Sequence, residues 1–140
     1  MIYPVFLKTI LRTTNIDGES DEIRYEGRAM AALRENGTWS VRYTDVENHG
    51  QTALQGADLW VSVSRDGDTK SRLLFRVGER LESVYVTPQG EFDMATQTTR
   101  IDQQIQEDFS EVKVDYELFL SGKLVTTNEL TLTWTPLLTK

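Results

Sequence analysis

A period of two runs through this chain, and it restricts the fold to antiparallel strands more than any other feature does. Val112, Val114, Tyr116, Leu118 and Leu120 alternate with Lys113, Asp115, Glu117, Phe119 and Ser121. In an extended backbone successive side chains point to opposite faces, so this segment hides one row and wets most of the other. Phe119 is the single breach. Leu130, Leu132 and Trp134 then alternate with Thr131, Thr133 and Thr135, and Ser121-Gly122-Lys123 between the two segments reads as a hairpin turn. Ile23, Tyr25, Gly27, Ala29, Ala31 and Leu33 form another row, followed across Glu35-Asn36-Gly37 by Trp39, Val41 and Tyr43. Leu59, Val61 and Val63 enter Arg65-Asp66-Gly67-Asp68, and Leu73, Phe75 and Val77 leave it. Val84 to Thr87 turns through Pro88-Gln89-Gly90 into Phe92, Met94, Thr96 and Thr98, where proline and glycine supply the backbone a turn demands.

With an opening strand near Val5 to Thr14, the pattern predicts eight to ten strands and no convincing helix. Ile101, Ile105 and Phe109 sit at helical spacing, but the two isoleucines also share strand parity, and we read a strand followed by a turn. Asn15 to Glu22 and Asp45 to Ala57 read as loops. No linker, repeat or low-complexity stretch divides the chain, so residues 1–140 are expected to form one all-β domain, a mostly up-and-down antiparallel barrel.

A chain of 140 residues is long enough to bury a core without staples, and it contains no cysteine, which removes disulfides, thiolate metal sites and thiol nucleophiles. Met1-Ile2-Tyr3-Pro4-Val5-Phe6-Leu7-Lys8 lacks the basic stretch and the length of a signal peptide, and no run reaches the ~18 apolar residues of a spanning helix. The expected location is the cytoplasm, away from any membrane. Twenty-two acidic against 15 basic residues give a net charge of −7, which repels phosphate backbones, so nucleic acid is not an expected partner. Arg24, Arg28 and Arg34 share one parity, but Glu26 between them suits a solvated outer face better than a basic patch.

Particular residues carry a family resemblance. Leu74-Phe75-x-x-Gly78-Glu79, then Tyr85-x-Thr87-Pro88-x-Gly90-x-Phe92-x-Met94-x-Thr96-x-Thr98-x-x-Ile101, then Tyr116-x-Leu118-x-Leu120 with the Gly122 turn resemble the YwiB-like family of small bacterial proteins. Upstream the resemblance rests on Gly27 and on Tyr43-x-Asp45, where the family is expected to carry glutamate. It implies a closed, calycin-type, lipocalin-like barrel and no activity.

The chemistry-bearing residues are few. His49, the only histidine, lies in the polar Glu47-Asn48-His49-Gly50 segment with no second imidazole to share a metal, and no Gly-x-Ser-x-Gly elbow or phosphate-cradling glycine loop occurs. The acidic stretch Asp17 to Glu22 lacks the alternating ligands and distal glutamate of a calcium loop. No cofactor, metal or catalytic residue is expected, and the chain reads as a non-enzyme. What remains is the inside of the barrel, since about eight strands enclose a space that side chains can fill or that one small ligand can occupy.

Leu7, Leu11, Trp39, Val41, Leu73, Phe75, Phe92, Met94, Leu118, Leu132 and Trp134 are the large inward positions and argue for filling. Gly27, Ala29 and Ala31, with Ser71 and the polar groups of Tyr25, Tyr43, Thr96, Thr98 and Tyr116, argue for a cleft with convergent polar atoms. Tyr85 joins them if its face turns inward. Arg65, on the parity of Leu59 to Val63, is placed to aim a charge at an anionic ligand from the rim, although an arginine beside Asp66 at a strand end is otherwise simply wet. The ligand-binding candidates are therefore Tyr25, Tyr43, Arg65, Tyr85, Thr96, Thr98 and Tyr116, for a small, partly apolar molecule. The alternative is a filled barrel acting as a structural or protein-interaction module. Its outward residues Trp60, Phe119, Phe6 and Ile10 would cover one another in a homodimer or meet another partner.

Overall fold

The computed structural model describes residues 1–137. Ten strands follow one another: β1 (Ile2–Asn15), β2 (Ser20–Leu33), β3 (Trp39–Asp45), β4 (Gly50–Ala57), β5 (Trp60–Asp66), β6 (Lys70–Phe75), β7 (Arg80–Thr87), β8 (Gly90–Ile105), β9 (Ser110–Leu120) and β10 (Lys123–Pro136). Each lies antiparallel beside its neighbour in sequence, and β1 pairs with β10 to close the barrel. Closure removes the free outer edges that an open sheet would expose. Among the described residues no helix is long and apolar enough to cross a membrane.

The alternation seen in the sequence becomes the inside and outside of this barrel. Val5, Leu7, Ala29, Ala31, Trp39, Val41, Val61, Phe75, Val112, Val114, Leu132 and Trp134 are buried together in one core. At the end of the barrel where β3 begins and β10 finishes, two indoles form a plug. Trp39 and Trp134 meet with ring centroids 5.2 Å apart and planes tilted by 40°. Trp39 Nε1 donates to Gln103 Oε1 at 2.7 Å, and Gln103 in turn donates to the Ala57 carbonyl. The indole lies flat over Gly56, its register partner on β4, where an added Cβ would come within 2.6 Å of the ring.

Several expectations need correction. Asp45 to Ala57 is not one loop, because residues 50–57 form β4, whose Thr52, Leu54 and Gly56 turn inward. Glycine, glutamine and alanine disfavour strands on their own, and burial between β3 and β5 outweighs that. The Asn15 to Glu22 loop shrinks to a turn, since β1 reaches Asn15 and β2 begins at Ser20. Phe92 was expected inside but is 43% exposed, and Leu59 lies exposed in the turn before β5. The parity of β8 changes at a bulge between Thr98 and Arg100, so Thr96 and Thr98 face inward above it, and Ile101 and Ile105 pack on the core below it. Trp60, Phe119, Phe6 and Ile10 are spread over β5, β9 and β1, and the Arg80 guanidinium lies 4.1 Å above the Phe119 ring.

The cylinder is uneven at two places. β6 and β7 pair only at Lys70 and Val86, and the seam is tied instead by Thr96 Oγ1 donating to the Leu74 carbonyl and the Gly78 N–H donating to the Thr98 carbonyl at 2.9 Å. β2 and β3 pair only from Met30 to Leu33 against Trp39 to Arg42, so residues 21–29 of β2 splay away from the second half of β3. Tyr25 and Tyr43 bridge the opening, their rings stacked 4.0 Å apart at an interplanar angle of 18°.

Candidate functional site

The splay and the tryptophan plug together decide what the interior becomes. One end is filled, while the other, between the β1–β2, β3–β4 and β5–β6 turns, holds a cavity of about 540 Å³. This lies within the roughly 300–1,000 Å³ of small-molecule pockets. Leu11, Leu54, Val63, Leu73, Leu118, Leu130 and Leu132 give it apolar walls. Tyr25 and Tyr43 stand on the side where β2 and β3 part, with Asp45, Val46 and Glu47 around them.

Two polar rows cross these walls. Register aligns Tyr43 with Thr52, Thr52 with Arg65, and Arg65 with Ser71, giving one inward line across β3, β4, β5 and β6. A second line pairs Tyr116 of β9 with Asn128 of β10, and Asn128 with Thr13 of β1. Tyr116 is 4% exposed and Asn128 2% exposed, yet both line the cavity. The Asn128 amide nitrogen donates to the Thr126 carbonyl and hydroxyl at 3.5 and 3.0 Å. The Tyr116 ring leans on Phe75, with centroids 4.5 Å apart and planes tilted by 50°, which fixes it between the core and the cavity.

The electrostatics keep the hydroxyls neutral. Burial pushes the Tyr116 phenol up to about 12, opposed weakly by the Arg65 charge. Burial also raises Tyr43, against the Thr52 hydroxyl and Arg65, while burial and then the Asp45 charge raise Tyr25. All three are therefore proton donors at neutral pH. For Tyr116 this has a measurable consequence. The unfolded chain releases its proton near pH 10.0 and the folded chain near 12, so between these values the folded state binds more protons and stability falls as pH rises. Two pK units correspond to a loss of about 2 to 3 kcal/mol across the window. Urea denaturation series above about pH 9 are expected to fall more steeply for the wild type than for Tyr116→Phe. Parallel curves would remove Tyr116 as the source.

Of the residues singled out from sequence, Tyr25, Tyr43, Arg65 and Tyr116 come together around the cavity. Thr96 and Thr98 do not line it; Thr96 holds the β6 seam, and the buried Thr98 hydroxyl has no hydrogen-bond partner among the described residues. Tyr85 pairs with Phe92 on the β7–β8 hairpin, also outside the lining. His49 is exposed in the β3–β4 turn, paired through Nδ1 with the Asp68 carboxylate, and likewise outside. Among the described residues no group of three or more His, Cys, Asp or Glu could hold a metal ion. Sequence reasoning missed Thr52, because β4 was read as loop, and Asn128. The signal for Asn128 was present, a lone polar residue on the parity of Leu130, Leu132 and Trp134.

The architecture defines a class, an up-and-down, calycin-like barrel plugged at one end and hollow at the other. The chain belongs to the family described as Domain of unknown function (DUF1934), which matches residues 9–132. Its fold is that of the YwiB protein from Bacillus subtilis, whose crystal structure is similar with a TM-score of 0.86 and 19% sequence identity, covering 98% of this chain and 94% of that one. No curated protein matches the chain.

Proposed function

We propose that this barrel is a non-catalytic binding protein of the cytoplasm that holds a small, partly apolar molecule in its open half. The observation that carries the reading is a cavity of about 540 Å³ with leucine walls into which the buried polar side chains of Tyr116 and Asn128 face. A side-chain-filled barrel would leave neither the space nor a reason to bury those groups on an otherwise apolar row. The single histidine lies in an exposed turn outside the cavity. A chain without cysteine does not require an oxidising compartment.

Phenylnaphthylamine, a neutral probe that fluoresces when transferred from water to an apolar site, is expected to bind the folded protein saturably at one site. Leu73→Trp places an indole in the cavity from its partly buried wall. It is expected to weaken binding at least about tenfold while the protein melts near the wild-type temperature. A folded wild type that leaves the probe dark, or a Leu73→Trp variant that binds it unchanged, would overturn the reading.

A further inference from the structure

We infer that the molecule held in this cavity is an organic anion, its acidic group received by Arg65 and its apolar body lodged against the leucine walls; the inference rests on the binding role proposed above. Four charged side chains carry the argument. Arg24 is paired with Glu22, whose carboxylate it meets at 2.7 Å and shares with Arg12 at 3.0 Å. The Asp45 carboxylate accepts the Asn48 N–H at 3.2 Å and the Thr52 hydroxyl at 3.4 Å, one bond to each oxygen. Glu47 stands exposed in the β3–β4 turn. Arg65, exposed like Glu47, differs from it in standing on a strand of the barrel wall. Among the described residues its guanidinium has no ion pair and no hydrogen bond, although it stands on the inward line of Tyr43, Thr52 and Ser71. It lines the cavity together with Tyr43 and Tyr116.

The chemistry of the remaining groups points the same way. Tyr43 and Tyr116 hold protonated hydroxyls, Ser71 adds another, and Arg65 adds five N–H donors, so the wall around Arg65 is rich in donors, while the carboxylates of the lining, Asp45 and Glu47, belong to the end of β3 and the turn after it. A carboxylate or sulfonate is acceptor-only and satisfies those donors, with charge-assisted bonds about twice as strong as neutral ones. An amine or a quaternary cation would meet Arg65 as a like charge. Leu54, Val63, Leu73 and Leu118 leave an apolar space beside the donors that an inorganic anion cannot use. The ligand therefore carries its charge on an apolar body.

A matched pair of probes tests this. Anilinonaphthalenesulfonate and phenylnaphthylamine share one aromatic body and differ by the sulfonate, and both report apolar burial by fluorescence. The wild type is expected to bind the sulfonate at least about tenfold more tightly, a gain typical of one charge-assisted contact. Arg65→Gln, an exchange at an exposed mouth position, is expected to abolish that preference, so that the two probes bind this variant within about twofold of each other. Tyr116→Phe is expected to lower affinity for the sulfonate more than for phenylnaphthylamine, and Leu73→Trp to lower both. Equal affinities in the wild type, or a preference that survives Arg65→Gln, would overturn the anion while leaving the cavity as a binding site. If the folded protein binds neither probe, both readings fail together.

Discussion

Replacing Trp39 by alanine is expected to cost about 4 kcal/mol of folding stability, the range for truncating a large aromatic side chain in a packed core. The indole is 1% exposed and joins parts of the chain that are distant in sequence: it packs on Trp134 of β10, donates to Gln103 of β8 and covers Gly56 of β4. Its loss leaves a void that Gly56 has no side chain to fill, and it strands the Gln103 carbonyl oxygen in a part-buried site. Domains of this kind hold only about 5 to 15 kcal/mol in total, so a single truncation consumes a large part of the margin. Chemical denaturation in urea measures it directly. A loss below about 1 kcal/mol would mean that the plug is not a stabilising centre of the barrel.

The second large effect is expected at the turns that rim the cavity. The β3–β4 and β5–β6 turns lie in direct backbone contact: the Asp68 N–H donates to the Asn48 carbonyl at 2.8 Å, and the Asn48 side chain bonds the Thr69 N–H, hydroxyl and carbonyl at 2.9, 2.9 and 3.0 Å. Such an approach requires glycine on both sides. A Cβ at Gly50 would run into the Asp66 carbonyl, and one at Gly67 into the Asn48 carbonyl. Backbone atoms cannot swing aside as a side chain end can, so Gly50→Val must push the two turns apart and break the Asn48 clasp. The expected cost is about 3 kcal/mol, at the upper end for overpacking, with Gly67→Val alike and the double variant well short of the sum. Because Val46 and Glu47 line the cavity from the same turn, phenylnaphthylamine binding should weaken alongside stability. A Gly50→Val variant of wild-type stability would show that these turns do not depend on close contact.

These two sites differ in how far they could be read from the chain. Trp39 was legible as an inward residue, because alternation with Ser40 and Arg42 sets its face locally. Its plug was not, since Trp134 and Gln103 lie 95 and 64 residues away and only closure brings them to it. Gly50 was read as loop because glycine and glutamine open β4, and nothing local says that another turn will press against that position. Local irregularities cost other readings. The bulges near Thr99 and Val125 each insert a residue and shift the parity, so a row followed from one end of β8 or β10 points the wrong way at the other. Phe92 was misplaced for another reason. Its parity matches Met94, but it lies near the end of the β7–β8 hairpin, where that face has too little above it to be covered.

By itself the sequence determined an all-β antiparallel domain, most of its inward row, and four of the residues around the cavity, because side-chain direction along a strand depends only on neighbours one and two places away. Only the tertiary structure decided which half of the barrel is full. That outcome rests on where β2 parts from β3 and on two tryptophans meeting at one end. A strand pattern places Arg65 on the inner face; whether a carboxylate of the protein answers it depends on residues brought close by folding. Among those described none pairs with it.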